Sequence, residues 1–347
     1  MQTLTCLCVF VLALVTAQPV FAQADTDARL PRYQAFYAFG DSLADNGNDF
    51  IFTTLVGQQP AVPPSTTPHR AYFDGRFSNG PVAFEYLWQM VSGSAPGSRK
   101  SLQPFLRLPS LVARNQAVNF AFGGSSTGFV ESTPGGFDVP GLLGQVELFR
   151  ATLPRNSPGS RALYAIFSGA GDYLRPAPLA PAQSVANIIA AVQRLYDVGA
   201  RDIIVVNLPD LGVIPITAGT PQSPLLTQLT QAHNALLAAQ LSALAASLSD
   251  LNLVAIDVNA VLSQLPNSIN TTLPALDALL PPQPGQVPAS LCIFVNPAAC
   301  SDVPTFDVDL QFLFWDAEHP TTAVHRLLAE YIYGQLVQAV GRVNSSN

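Results

Sequence analysis

The chain has 347 residues, of which 11% are charged, and 16 Lys and Arg against 23 Asp and Glu leave a formal charge of −7. A mildly acidic chain of this kind has no basic footprint for a phosphate backbone, so nucleic acid is excluded as the expected partner. Four cysteines, with no HExxH, CxxC or EF-hand spacing, form no metal pattern, and neither a metal nor an organic cofactor is expected.

The N-terminus reads "MQTLTCLCVFVLALVTAQPVFAQA". Leu4 to Val15 is almost wholly apolar, and Val20 and Ala22 suit the −3 and −1 positions of a cleavage site, with Ala22 and Ala24 as a second such pair. Despite an n-region without Lys or Arg, a secretory signal peptide over residues 1–22 is preferred to a buried N-terminal helix, because polar "QADTDAR" follows. The stretch is too short to span a membrane, and no other segment approaches a spanning length. The expected location is therefore extracellular or periplasmic. Cys6 and Cys8 leave with the signal. Cys292 and Cys300 remain and enclose the short loop "IFVNPAA", and in an oxidising compartment a disulfide is preferred to two free thiols.

In chain order, "AFYAF" (Ala35–Phe39), "VNFAF" (Val118–Phe122), "ALYAIF" (Ala162–Phe167), "IIVVN" (Ile203–Asn207) and "LVAIDV" (Leu253–Val258) are five candidate strands. Each lacks polar alternation, as strands covered on both faces do. Between them, Val185, Ile188, Ile189, Val192 and Leu195 recur at helical spacing before a stop at Gly199. Ser223 and Pro224 open a helix whose expected buried stripe is Leu229, Leu236, Leu237, Leu241, Leu244 and Leu248. A last helix is expected from Pro320 to about Val340. Strands alternating with helices predict an α/β fold with a five-stranded parallel sheet. Val56–Gly75 and Leu265–Cys292 are proline-rich interruptions of the kind that serve as functional loops. No repeat or linker divides residues 23–347, so one domain is expected.

The candidate chemistry starts at "FYAFGDSLADNGNDF". Ser42 follows the first strand, at the carboxyl rim where open parallel sheets bind ligands, and Gly40 allows the sharp bend that this requires. Gly-Asp-Ser alone is ordinary turn chemistry, so the reading depends on a base. His69 lies in a proline-rich loop, and His233 and His325 lie inside expected helices. His319, in "FLFWDAEHPTTAVH", suits the first turn of the last helix and follows Asp316 by three residues. An aspartate at that spacing can accept from Nδ1–H and leave Nε2 to take the Ser42 proton. "GSSTG" (Gly124–Gly128) matches the G-x-S-x-G elbow, but no helix pattern follows it, which demotes Ser126 as nucleophile.

With these pieces placed, the sequence resembles the GDSL family of SGNH hydrolases. "FGDSLADNGN" is similar to the nucleophile motif, "GRFSNGPVAFEYL" to the segment after it in long secreted members, "NFAFGG" to the second motif and "DAEHP" to the last; "NLPDLG" is also familiar there. The resemblance implies a flavodoxin-like three-layer α/β/α sandwich. It also implies a Ser42–His319–Asp316 triad and an oxyanion hole that includes the Ser42 and Gly124 N–H groups. In the third motif, Gly-x-Asn-Asp, the family asparagine is a further oxyanion donor, but "FSGAGDYL" has Gly171 there. Loss of one such donor costs about 10²–10³ in turnover. The expectation is a slower enzyme, a substitute donor, or a protein that binds without turnover.

The preferred reading is a secreted serine esterase or lipase acting on a small ester, a lipid or an acylated sugar, with an acyltransferase using the same triad as an alternative. A non-catalytic glycan- or lipid-binding protein is the second alternative. Phe50, Phe52, Leu55, Tyr72 and Phe73, with the apolar proline-rich loop before Cys292, are candidate linings of an acyl pocket or lid, or ordinary packing.

Overall fold

A computed structural model of the chain describes residues 30, 33–98, 100–108, 116–133, 135–153, 161–265, 296–300 and 313–345. The expected signal peptide, Cys292 and the proline-rich stretch beyond Leu265 lie outside these residues. Cys300 is buried and disulfide-bonded.

The first strand, β1 (Ala35–Gly40), shows how the layers arise. Side chains alternate across a strand, and here both sides are apolar. Phe36 and Ala38 enter one core, where Phe36 stacks on Trp88 at 5.5 Å, while Tyr37 and Phe39 enter the other, where Tyr37 meets Phe149 at 4.7 Å. A strand buried on both faces needs a layer on each. After α1 (Asn48–Leu55), α2 (Ala83–Ser92) covers the first face. Next come β2 (Gln103–Pro104), β3 (Ala117–Asn119), and a separate antiparallel hairpin of β4 (Val130–Ser132) and β5 (Asp138–Pro140). The opposite face is covered by α3 (Leu142–Thr152), then, after β6 (Ala162–Phe167), by α4 (Pro181–Asp197), and, after β7 (Asp202–Val206), by α5 (Ser223–Ser247). β8 (Asn252–Ile256), α6 (Val258–Leu262) and α7 (Thr322–Ser345) follow, and α7 returns to pack beside α2.

The parallel sheet has six strands in the order β2-β3-β1-β6-β7-β8. The expected five are β3, β1, β6, β7 and β8 in consecutive places, and the correction is β2, a two-residue edge strand beyond β3 whose Gln103-Pro104 carries no periodicity to read. Without it the order is that of flavodoxin-like folds, with the topological switch point between β1 and β6. Strand ends also differ from expectation: β3 ends at Asn119, although the Phe120 and Phe122 N–H groups still donate to the Ala38 and Gly40 carbonyls of β1. The α5 stripe is corrected as well. Leu226, Thr230, His233, Leu237 and Leu241 are its buried residues, while Leu229, Leu236, Leu244 and Leu248 are only partly covered.

Candidate active site

At the end of β1, Gly40 has φ +155°, and a Cβ there would stand 2.1 Å from the Phe167 carbonyl oxygen of the neighbouring strand. Only glycine allows this approach. The Gln145 side chain adds to the ladder at this point, accepting from the Gly40 N–H at 2.9 Å and donating to the Gly40 carbonyl at 2.8 Å. The chain then makes one helical turn, with the Ala44 and Asp45 N–H groups donating to the Asp41 carbonyl. Ser42 sits on this turn, half-buried, and its own N–H donates to no described residue.

The partner loop comes from the far end of the chain. Phe314 and Pro320 form an isolated bridge, and Trp315 N–H donates to the His319 carbonyl at 2.7 Å, so residues 314–320 fold back as a tight loop. His319 therefore stands before α7 rather than in its first turn, because the Asp316 Oδ1 oxygen takes the Glu318 and His319 N–H groups at 2.7 and 2.6 Å and holds the backbone in a non-helical turn. The other oxygen, Oδ2, faces His319 Nδ1 at 2.7 Å, and His319 Nε2 lies 2.8 Å from the Ser42 hydroxyl. The three sequence-predicted residues thus meet in series at the carboxyl rim of the sheet. Such a series can draw the proton from Ser42 and hold the resulting imidazolium.

Sequence reasoning missed the clamp around this loop. The Tyr72 hydroxyl donates to Asp316 Oδ2 at 2.6 Å, and the Phe77 ring lies 5.1 Å from the His319 ring. Ser78 donates to the Pro320 carbonyl, and Asn79 Oδ1 accepts the Thr322 N–H that opens α7. "GRFSNG" is thus the cradle of the histidine loop, a role that nothing in its local pattern states.

Gly124 has φ +69°, and its N–H donates to no described residue. A polar lattice joins its turn to that of Ser42. The Asp45 carboxylate accepts from the Gly47, Asn48, Asp49 and Gly123 N–H groups. Asn48 Nδ2 donates to the Asn119 and Ala121 carbonyls, and Asn119 Nδ2 to the Ala44 carbonyl. Gly171 is excluded from the donor set by more than its missing amide. A Cβ there would lie 2.2 Å from the Ser125 carbonyl oxygen, so this backbone packs the two turns too closely for any side chain. The following Asp172 is buried, accepting from the Ser184 hydroxyl and the Thr127 N–H.

Electrostatics favour a charged imidazole. Burial depresses His319, but the Asp316 charge and hydrogen bond, with Glu318 and Asp41, outweigh it and raise the ring to about 8. Burial opposes ionisation of Asp316, yet His319 and the Tyr72 and Glu318 donors hold it below the usual carboxylate range. The remaining histidines are spent on structure. His233 is buried 2.8 Å from the Tyr173 hydroxyl and pushed down to about 4 by burial; His325 is buried and pushed down to about 3, by burial first and then by His319. His69 Nδ1 meets the Cys300 carbonyl at 3.1 Å. Ser126 is buried and its hydroxyl accepts the Gly128 N–H.

A cavity of about 450 Å³ opens beside Ser42 and His319. Its wall is mainly apolar and comes from the loops after β6, β7 and β8 and from the face of α7, including Leu174, Leu211, Ile214, Leu262, Phe314 and Leu328. Of the expected acyl-pocket residues, Leu265 at the start of the proline-rich loop lines it, and none of the five nearer Ser42 in sequence does. Phe52 packs on Phe137, Leu55 is exposed, and Tyr72 serves Asp316. The proximity of those aromatics to Ser42 in sequence misled, because the switch point sends the cavity to the other side of β1.

The family model for the GDSL-like lipases and acylhydrolases matches residues 36–332. The chain belongs to this family. Among curated relatives, a Pseudomonas putida protein described only by its place in the trpE-trpG intergenic region is 28% identical over 88% of this chain and 48% of its own. The chain thus spans about half the length of that relative. An Arabidopsis thaliana GDSL esterase/lipase is 26% identical, covering 86% of this chain and 88% of that protein. The phosphatidylcholine-sterol acyltransferase of Aeromonas hydrophila is also 26% identical, covering 86% and 89%. The family is described as one of lipases and acylhydrolases.

Proposed function

We propose that this GDSL protein is a secreted carboxylic ester hydrolase working through an acyl-enzyme. The single observation that carries the reading is the unbroken series from the Ser42 hydroxyl through His319 to Asp316, with contacts of 2.8 and 2.7 Å. Ser42 Oγ attacks the ester carbonyl as His319 Nε2 takes its proton, and Asp316 fixes the tautomer and steadies the imidazolium. The oxyanion meets the free N–H groups of Ser42 and Gly124. His319 then gives the proton to the departing alkoxide. A water, deprotonated by His319, attacks the acyl-serine and releases the acid. No cofactor enters these steps. The bonded state of Cys300 supports an oxidising compartment, and with it the reading of residues 1–22 as a secretion signal.

Acyl transfer is the second reading, favoured by the name of the Aeromonas relative. An alcohol in place of that water uses the same machinery. The deciding experiment is labelling with a fluorophosphonate beside hydrolysis of a short-chain aryl ester, for the native protein and Ser42→Ala. Label and turnover in the native protein, both lost in the variant, are expected. A folded native protein that neither labels nor hydrolyses would leave a binding protein in their place. Added alcohol diverting product from acid to ester would favour transfer.

A further inference from the structure

The cavity beside Ser42 has an uneven charge pattern. Among the described residues its lining includes two carboxylates, Asp210 and Glu318, with His319 and no lysine or arginine. Asp210 is held in place, its Oδ1 accepting the Gly212 N–H and the Thr227 hydroxyl at 2.8 Å each. Glu318 follows from the catalytic loop. Its N–H is spent on Asp316, while its side chain is exposed at the mouth and makes no hydrogen bond or ion pair with a described residue. A negative group entering this cavity would meet an apolar wall and two carboxylates, and the one cationic group there, the His319 ring, already has its charge matched by Asp316. Loss of hydration in an apolar cleft strengthens such repulsion.

We propose that this cavity seats the uncharged acyl group of an aliphatic ester and rejects acyl groups ending in a carboxylate, with Glu318 as the specificity-determining residue. The inference rests on the ester-hydrolase reading above and adds the substrate class to it. The same field drives off the carboxylate product once the acyl-serine is hydrolysed, because the acid is formed beside Glu318.

The test compares three p-nitrophenyl esters of matched length at pH 8: hexanoate, 5-carboxypentanoate, and a hexanoate ending in trimethylammonium. Two like charges about 8 Å apart at an effective dielectric of about 20 repel enough for about a thirtyfold loss in rate. The native protein should therefore favour hexanoate over the carboxylate ester by about thirtyfold in kcat/KM at low salt. That ratio should narrow in 1 M salt, where exposed charges are screened within about 3 Å. The cationic ester should fall well above the anionic one, and Glu318→Gln should raise the ratio of anionic ester to hexanoate about tenfold, a ratio in which any change in the His319 base cancels. Equal losses for both charged esters, or a ratio indifferent to salt, would overturn the proposal without recourse to any variant. So would an unchanged ratio in a Glu318→Gln protein that still cleaves hexanoate. Absence of turnover on all three by the folded native protein would instead bring down the hydrolase reading, and this inference with it.

Discussion

The Tyr72 hydroxyl and His319 Nδ1 share one acceptor, Asp316 Oδ2, at 2.6 and 2.7 Å. The second donor removes the freedom of the carboxylate to turn away from the imidazole, and loss of a hydrogen bond to a charged group costs about 1.5–3 kcal/mol. Tyr72→Phe keeps the ring that packs near Phe77. It should lower kcat about tenfold or more while KM changes little, since no part of Tyr72 lines the cavity. Steady-state kinetics on a short aryl ester check this. A fall in KM-dependent terms alone would mean that Tyr72 touches substrate.

The pH profile should place its acid limb high. His319 accepts the Ser42 proton only when neutral, and the ring titrates at about 8. Activity should therefore rise through pH 8 and level off above it, with kcat/KM reporting the free enzyme. Burial disfavours the charged ring, and Asp316, Glu318 and Asp41 favour it; buried His325, pushed down to about 3, is neutral where this ring titrates. Removing one negative neighbour lowers the pKa of the base, so Glu318→Gln should shift the limb toward lower pH. A limb near the ordinary histidine value in the native protein would show that these carboxylates do not reach the ring.

The layers and the reacting trio were legible in the sequence for separate physical reasons. Strands such as Ala162–Phe167 announce themselves because burial on both faces leaves no polar position. Ser42, Asp316 and His319 were readable because an aspartate three residues before a histidine needs no distant support. The cradle was illegible because Tyr72 and Phe77 meet the histidine loop across more than 240 residues, a distance that no local period encodes. The cavity lining was misread for a related reason. Sequence neighbours of Ser42 were taken for spatial neighbours of its substrate, and the order β3-β1-β6 sends them to the other side. Helix α5 hid a buried histidine, because the Tyr173 partner of His233 that lets it sit there comes from another element.

Gly171 was readable as a departure from the family motif but not as a packing constraint. A vacant donor position suggests that Gly171→Asn would restore activity, and the geometry says otherwise. With its Cβ 2.2 Å from the Ser125 carbonyl oxygen, the new residue must move that turn or its own, and forced overpacking costs about 1–3 kcal/mol. Gly171→Asn should lower both thermal stability and kcat. Gly171→Ala should do the same, which assigns the effect to the Cβ rather than to the amide. Faster turnover by the asparagine variant would show that the turns yield and that the position is an open oxyanion site.

Asp45 is the residue through which the Ser42 and Gly124 turns hold one another. Its two oxygens take four backbone N–H groups, three from its own turn and one from Gly123 at 3.2 Å. Asp45→Ala abandons all four donors in a site with no solvent, and buried unsatisfied groups cost about 1–3 kcal/mol each, so that variant should fail to fold or melt far lower. Asp45→Asn is the sharper test. It keeps an acceptor for Gly47 and Asn48, but an amide nitrogen then faces the Asp49 and Gly123 donors. The Gly123–Gly124 turn should drift from the oxyanion position, lowering kcat about tenfold or more with KM nearly intact. Neighbouring Asp49 is buried beside Asp45 and raised well above the carboxylate range, by burial first and then by that neighbour. Both causes favour its neutral form, so Asp49→Asn, a neutral group of the same shape, should leave both stability and kcat close to native. A folded Asp45→Asn protein with native kcat would show that Gly124 is held by other contacts.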